Sequence, residues 1–245
     1  MTHPNQTFRG RRSFLILLAT AWVAGCRTQP PPVPAFPETD VKPGINQEFL
    51  NPDLNVTQWV ERFEKEGREI YDRRDEIVAA ARVRRGEAVA DIGAGTGLFT
   101  ELFARAVGPR GKVYAVDIAP QFLTYIAQRS AAAGLRNVQT VLGTEHSTEL
   151  PRRSIDCAFL CDVYHHFEYP QHTLASIRRA LRPGGTLLLV EFKRIPGQSS
   201  AWTLNHIRAG EEVFTAEIES AGFKKIAEEH FLKDSYVLRF RKTRR

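Results

Sequence analysis

The chain has 245 residues, 42% of them hydrophobic, enough to bury one sizeable core with extensions. Its formal charge of +6 collects at the ends. Arg9, Arg11 and Arg12 precede any acid, and Arg239, Arg241, Lys242, Arg244 and Arg245 close the chain, so charge alone gives no case for nucleic-acid binding.

Residues 1–25 read as a signal peptide: a basic start, an apolar run over 14–24, then small residues. The run is shorter than the roughly 20 apolar residues that span a bilayer. Val23-Ala24-Gly25-Cys26 resembles the lipobox of bacterial lipoproteins, in which the cysteine is lipidated, and Arg11-Arg12-Ser13-Phe14-Leu15 resembles a twin-arginine export signal. Residues 26–54 are expected to tether the anchor at Cys26 to a domain over 55–245. Five prolines within 29–37 favour an extended polyproline II spacer. The expectation is an exported protein, lipid-anchored on the periplasmic side of a bacterial membrane.

The domain is expected to open with one long helix from a cap at Thr57 to about Arg82, with Trp59, Phe63, Ile70, Ile77 and Val78 on its apolar face. Strands follow at 87–91, 112–117, 138–142, 155–161 and 186–191, and helices at 97–107, 120–133, 172–181 and 211–221. Two last strands, near 224–232 and 235–241, are joined too tightly for a parallel crossover and must pair antiparallel. Alternation of this kind, with apolar strands such as Leu187-Leu188-Leu189-Val190, predicts an α/β fold: a mostly parallel sheet covered on both faces. Cys157 and Cys161, four strand residues apart, lie ~13 Å from each other, too far for a disulfide, and are expected as core thiols.

Val89-Ala90-Asp91-Ile92-Gly93-Ala94-Gly95-Thr96-Gly97 runs from a strand into a helix. Glycines there let backbone approach a ligand closely, at the strand ends where such sheets bind ligands. The spacing is G-x-G-x-G rather than the dinucleotide G-x-G-x-x-G, and Asp91 beside it would repel a pyrophosphate but suits an ammonium group. Asp117 ends the next strand, where a carboxylate can accept both hydroxyls of a ribose. A ribose joined to a cationic amino-acid part describes S-adenosylmethionine better than a nicotinamide dinucleotide.

These motifs, with Val113 to Asp117, Ile155 to Asp162 and Leu181-Arg182-Pro183-Gly184-Gly185, resemble the class I S-adenosylmethionine-dependent methyltransferases, in the subgroup that includes ubiquinone/menaquinone-biosynthesis-type enzymes. The resemblance implies a three-layer Rossmann-like fold of seven strands in the order 3-2-1-4-5-7-6, strand 7 antiparallel. It implies S-adenosylmethionine as cofactor, held by Asp91, Gly93, Ala94, Gly95, Gly97, Asp117 and Ile118. Glu145 is the candidate for the adenine, and Asp162 lies where the family lines the methyl-donor end. His165 and Tyr164 are the candidate catalytic residues. No metal is expected, because no Cys or acid at ligand spacing completes a set with His165 and His166. A small-molecule methyl acceptor is implied, and the first helix, with Glu69, Tyr71 and Arg73, is a candidate lid. The alternative is an exported methyltransferase-like binding module without turnover.

Overall fold

A computed structural model describes residues 1–2 and 41–244. The signal-peptide run, Cys26 and the prolines of 29–37 lie outside the described residues. Among the described residues no helix is long and apolar enough to cross a membrane.

Seven strands form one sheet, in chain order β1 (Ala88–Ile92), β2 (Lys112–Asp117), β3 (Val138–Leu142), β4 (Ile155–Cys161), β5 (Leu181–Phe192), β6 (Phe223–Glu229) and β7 (Ser235–Lys242). Their spatial order is β3-β2-β1-β4-β5-β7-β6. The first five pair parallel, and β7 runs antiparallel between β5 and β6. This is the expected Rossmann-like order. Crossovers between the early strands make them parallel, and the short Lys233-Asp234 link makes β6 and β7 antiparallel neighbours.

The central strands read as apolar runs because both faces are covered. Every residue of β1 is buried. On one face Leu160, Leu174, Leu189, Phe214 and Phe240 belong to one core cluster. On the other, Phe159 lies 4.8 Å and 4.9 Å, ring to ring, from Phe99 and Phe103, in a second cluster. Edge strand β3 has only half-buried and exposed residues, and Leu142 is exposed. Cys157 is a buried free thiol, pushed up to about 12 by burial, and sits within the core; Cys161 is raised in the same sense but is half-buried and borders a cavity, and neither is reactive as a thiolate.

The expected first helix is three: α1 (Val56–Phe63), α2 (Glu69–Asp72) and α3 (Arg74–Ala80). Asn55, not Thr57, caps α1, its Oδ1 accepting from Thr57 N at 3.1 Å. The chain then turns through Gly67, whose φ of +83° breaks the helical pattern. The domain also begins before residue 55. Asn46 is buried, and Val41 N donates to Glu168 O at 3.0 Å, so part of the expected tether packs as domain.

Helices α4 (Leu98–Val107), α5 (Pro120–Ala132), α6 (Pro170–Ala180) and α8 (Glu211–Ser220) fall near their expected places. Proline occupies the first turn of α5 and α6, where its missing N–H costs nothing. A further helix, α7 (Ala201–His206), was not foreseen; Ser200 Oγ caps it, accepting from Thr203 N at 3.1 Å.

Candidate functional site

The carboxyl ends of β1, β2 and β4 open on a cavity of about 630 Å³, within the usual ~300–1,000 Å³ of small-molecule sites. Asp91, Gly93, Ala94, Gly95, Asp117, Ile118, Glu145, Asp162 and His165 all border it. Asp91, one residue before the end of β1, and Asp117, at the end of the neighbouring β2, are both buried. Asp117 accepts from Gly95 N at 2.8 Å through Oδ2 and from Ala119 N at 2.9 Å through Oδ1. It thus ties the glycine loop to β2 and still has lone pairs for a ligand. Asp91 Oδ2 accepts from Thr100 Oγ1 at 2.6 Å. Burial pushes Asp91 up to about 7, with the charge of Asp117 adding to it, and burial raises Asp117 to about 6 against its backbone hydrogen bonds. Two acids held this way resist sharing a site as anions. A cationic or hydroxyl-donating ligand relieves them.

The three glycines of the loop have different reasons. A Cβ on Gly93 would stand 2.1 Å from Val163 Cγ2, so this glycine lets the β1 and β4 loops touch. At Gly95 a Cβ would find nothing nearer than Phe63 at 3.6 Å; there the backbone's φ of +54° makes the demand, and the space beside it is cavity. Gly97 does not border the cavity. It precedes α4 as its cap, behind the loop, which corrects its expected place beside the cofactor.

The amino-terminal segment covers the cavity, with other residues than expected. Phe49, Trp59, Phe63 and Arg68 border it; Trp59 packs with Phe122 and Ala119 in one cluster. Glu69 and Arg73 do not. Glu69 instead accepts from Lys233 N and from Asp234 N, the latter at 3.0 Å, joining α2 to the closing hairpin. Arg68 is the latch: its guanidinium pairs with Asp162 and donates to Phe63 O at 3.0 Å. Asp162 follows β4 with φ +51°, uncommon outside glycine. Its Oδ1 is buried without a partner. Burial pushes this carboxyl up to about 7 although Arg68 pulls the other way.

Past Asp162 the chain makes a single 3-10 turn, Tyr164–His166, which sends neighbouring side chains apart. Tyr164 is fully buried, packs 4.8 Å from the Phe214 ring, and donates to Glu217 Oε2 at 2.9 Å. It does not border the cavity, and the expected catalytic role of Tyr164 is corrected to a packing one. His165 does border it. Its Nδ1 lies 2.8 Å from Glu191 Oε2, at the end of β5, which leaves Nε2 as its free nitrogen. Burial favours the neutral pair, pushing Glu191 up to about 8 and His165 down to about 3. Such an imidazole is a poor general base near neutral pH.

His166 and His206 stand beside His165, at ring-to-ring distances of 4.3 Å and 5.1 Å. Burial first, then the charge of His165, lowers His166 to about 2 and His206 to about 4. The premise that nothing completes a set with the histidine pair does not hold in space. His206 comes from α7, the helix that sequence reading missed; the Ser200 cap was its one local signal.

Residues 90–189 match the family model described as a methyltransferase domain. A ubiquinone/menaquinone biosynthesis C-methyltransferase UbiE of Hahella chejuensis is 34% identical over 113 residues, 46% of this chain and 45% of that protein. An uncharacterised 37.1 kDa protein in transposon TN4556 of Streptomyces fradiae is 37% identical over 115 residues, 47% of this chain and 33% of that protein. The chain thus spans less than half the length of these curated relatives. Among solved structures, an S-adenosylmethionine-dependent methyltransferase from Aquifex aeolicus superposes with a TM-score of 0.68 at 21% identity, covering 76% of this chain and 98% of that one. At 21% identity that likeness shows the fold; the acids and open loop backbone at the strand ends suit a ligand that carries a ribose and an ammonium group.

Proposed function

We propose that this chain is an S-adenosylmethionine-dependent methyltransferase acting on a small molecule that enters at the histidine end of the cavity. The observation that carries this reading is the pair of buried carboxylates, Asp91 and Asp117, on adjacent strand ends beside the glycine loop. When bound, S-adenosylmethionine supplies a methyl group on a positively charged sulfur, which an acceptor displaces in line. Asp117 accepts hydrogen bonds from the ribose, and Asp91 offers its charge to the ammonium group. Ala94, Ile118 and Glu145 border the same end of the cavity. Phe49, Trp59 and Phe63 close over the loop and exclude water, which strengthens both contacts. Most of the catalysis then comes from holding acceptor and methyl group at ~3–3.5 Å.

The competing reading is a methyltransferase-like binding module without turnover. The glycine loop and both acids favour an active site, since a module has no use for a carboxylate pair that destabilises the empty fold. Calorimetry with S-adenosylmethionine tests the cofactor assignment. Asp117→Ala is expected to weaken binding by ~1.5–3 kcal/mol, the worth of a hydrogen bond to a charged group; a variant that binds like the wild type overturns the ribose contact.

The proposal extends to export and lipid anchoring. The order basic, apolar, small, Cys26 supports it, with the prolines of 29–37 as spacer. Two or more acyl chains hold a protein stably at a membrane, whereas one does not. Cys26→Ser is expected to release the domain from the membrane fraction or leave it unprocessed. A wild-type protein of full mass, soluble in the cytoplasm, overturns the anchor.

A further inference from the structure

The three-histidine cluster stands apart from the groups that hold the cofactor. We propose that His165, His166 and His206 form a binding site for one divalent transition-metal ion of the zinc class, with its remaining coordination position open to the cavity. One ring nitrogen from each histidine lies within 4.8 Å of the others. On one tetrahedral ion with bonds of ~2.0–2.1 Å the three nitrogens would stand about 3.4 Å apart, so binding would draw the rings together by up to about 1.4 Å. Three protein ligands with an open fourth position is the pattern of catalytic rather than structural zinc.

The surroundings have the features of a built site. His165 Nδ1 lies 2.8 Å from Glu191 Oε2; an ion on Nε2 would favour the ionised Glu191 accepting from Nδ1–H, the carboxylate–histidine arrangement that orients a metal-binding imidazole. His166 is positioned through its backbone, its carbonyl accepting from Asn46 Nδ2 at 3.0 Å, and its Nδ1 is buried with no hydrogen-bond partner. His206 is stacked on Trp202 at 4.6 Å, with 19° between the rings. Phe49 meets His166 edge-on at 5.3 Å. Aromatic rings thus flank three nitrogen donors, the Lys42 ammonium stands beside them and donates to His206 O, and the set holds no thiolate. Nitrogen donors of this kind suit zinc, cobalt, nickel or copper better than magnesium or calcium.

All three histidines border the same cavity as Asp162 and the glycine loop, so the open position faces the acceptor end. Resting on the methyltransferase reading above, the ion would bind an acceptor hydroxyl as a Lewis acid. The O–H bond breaks with its proton passing to water. The oxygen then forms the bond to the methyl carbon as the sulfur–carbon bond breaks and its electron pair returns to sulfur.

The test needs no turnover, so it stands or falls separately from the methyltransferase reading. The purified chain, stripped with chelator, is titrated with Co²⁺ and followed by visible absorbance, then challenged with Zn²⁺. One Co²⁺ per chain is expected, with the intense bands of a four-coordinate site, displaced by one Zn²⁺. His206→Ala is expected to weaken binding by at least ~100-fold, beyond the ~10–100-fold typical of an outer-shell partner. His166→Gln, on the other element, is expected to do the same. His230→Ala, at an exposed histidine outside the cavity, should leave binding unchanged. Thermal melts confirm that each variant is folded. Failure of the wild type to take up a stoichiometric ion overturns the proposal, as does undiminished binding in a folded His206→Ala or His166→Gln chain.

Discussion

At the cofactor end of the cavity, Asp91, the glycine loop and Asp117 come from one continuous stretch, residues 91–117, and meet because β1 and β2 are neighbours. At the acceptor end, Asn46, Arg68, His165 and His206 come from four separate stretches and meet only because the whole domain has folded. The first end uses backbone: N–H groups of Gly95 and Ala119 hold Asp117. The second uses side chains that hold one another, Arg68 on Asp162 and Glu191 on His165. An end fixed by local backbone tolerates little change within a few residues. An end fixed by distant side chains can vary one stretch at a time, which suits a common cofactor beside a variable acceptor.

The comparison breaks hardest at Gly93. In Gly93→Val a side chain is asked to occupy space already held by Val163, 2.1 Å from the new Cβ, at a φ of +68°. Cofactor binding measured by calorimetry is expected to be lost. Gly95→Ala, with Phe63 at 3.6 Å, should instead fold at a backbone cost of ~1–2 kcal/mol and weaken rather than abolish cofactor binding, since its methyl enters the cavity beside the loop. Equal effects of the two changes would mean that the touch between the β1 and β4 loops does not shape the site.

That asymmetry also explains what the sequence could and could not disclose. The α/β class and the closing hairpin were legible because apolar runs alternate with helical patterns and Lys233-Asp234 is too short for a crossover, whereas the order of the strands came only from the resemblance of the motifs to a family. The glycine loop and its acids were legible because their spacing is their geometry. The break in the first helix was not, since Trp59, Phe63, Ile70 and Ile77 keep an apolar spacing across Gly67. Nor was the histidine cluster: His206 stands 40 positions after His166, on a helix of six residues too short to leave a periodic signal. Tyr164 and His165 look equivalent in sequence, and only the 3-10 turn decides which of them faces the cavity.

A smaller effect sharpens the cofactor end through pH. Asp91 is held up to about 7 in the empty protein, well above its ordinary 3.8. A bound ammonium group favours its ionised form, so binding expels a proton in the window between the lowered value of the bound state and about 7. The sign follows: affinity rises with pH, by up to about tenfold per unit for one proton released, and levels off above about 7. Calorimetry with S-adenosylhomocysteine between pH 5.5 and 8 measures this. Asp91→Asn should bind more weakly at pH 8 and lose the slope near 7, keeping only the part set by Asp117 near 6. A wild-type profile that is flat from 5.5 to 8 would remove the ammonium from Asp91.

The mildest change separates the two faces of the 3-10 turn. Tyr164→Phe removes one hydroxyl hydrogen bond, to Glu217 Oε2 at 2.9 Å. Glu217 keeps its charge partner, because Arg208 reaches both carboxylate oxygens at 2.8 Å and 2.6 Å, and the phenyl ring still packs against Phe167 and Phe214. The expected cost is therefore ~1 kcal/mol of stability, read from denaturant unfolding. Turnover and cofactor affinity should match the wild type, because nothing of Tyr164 borders the cavity. The change of its neighbour, His165→Gln, should have the opposite profile, with acceptor chemistry lost and cofactor affinity kept. A Tyr164→Phe enzyme with normal stability but depressed kcat would put the phenol back at the reacting atoms. It would also mean that the turn opens in solution far enough to exchange the faces of these two side chains.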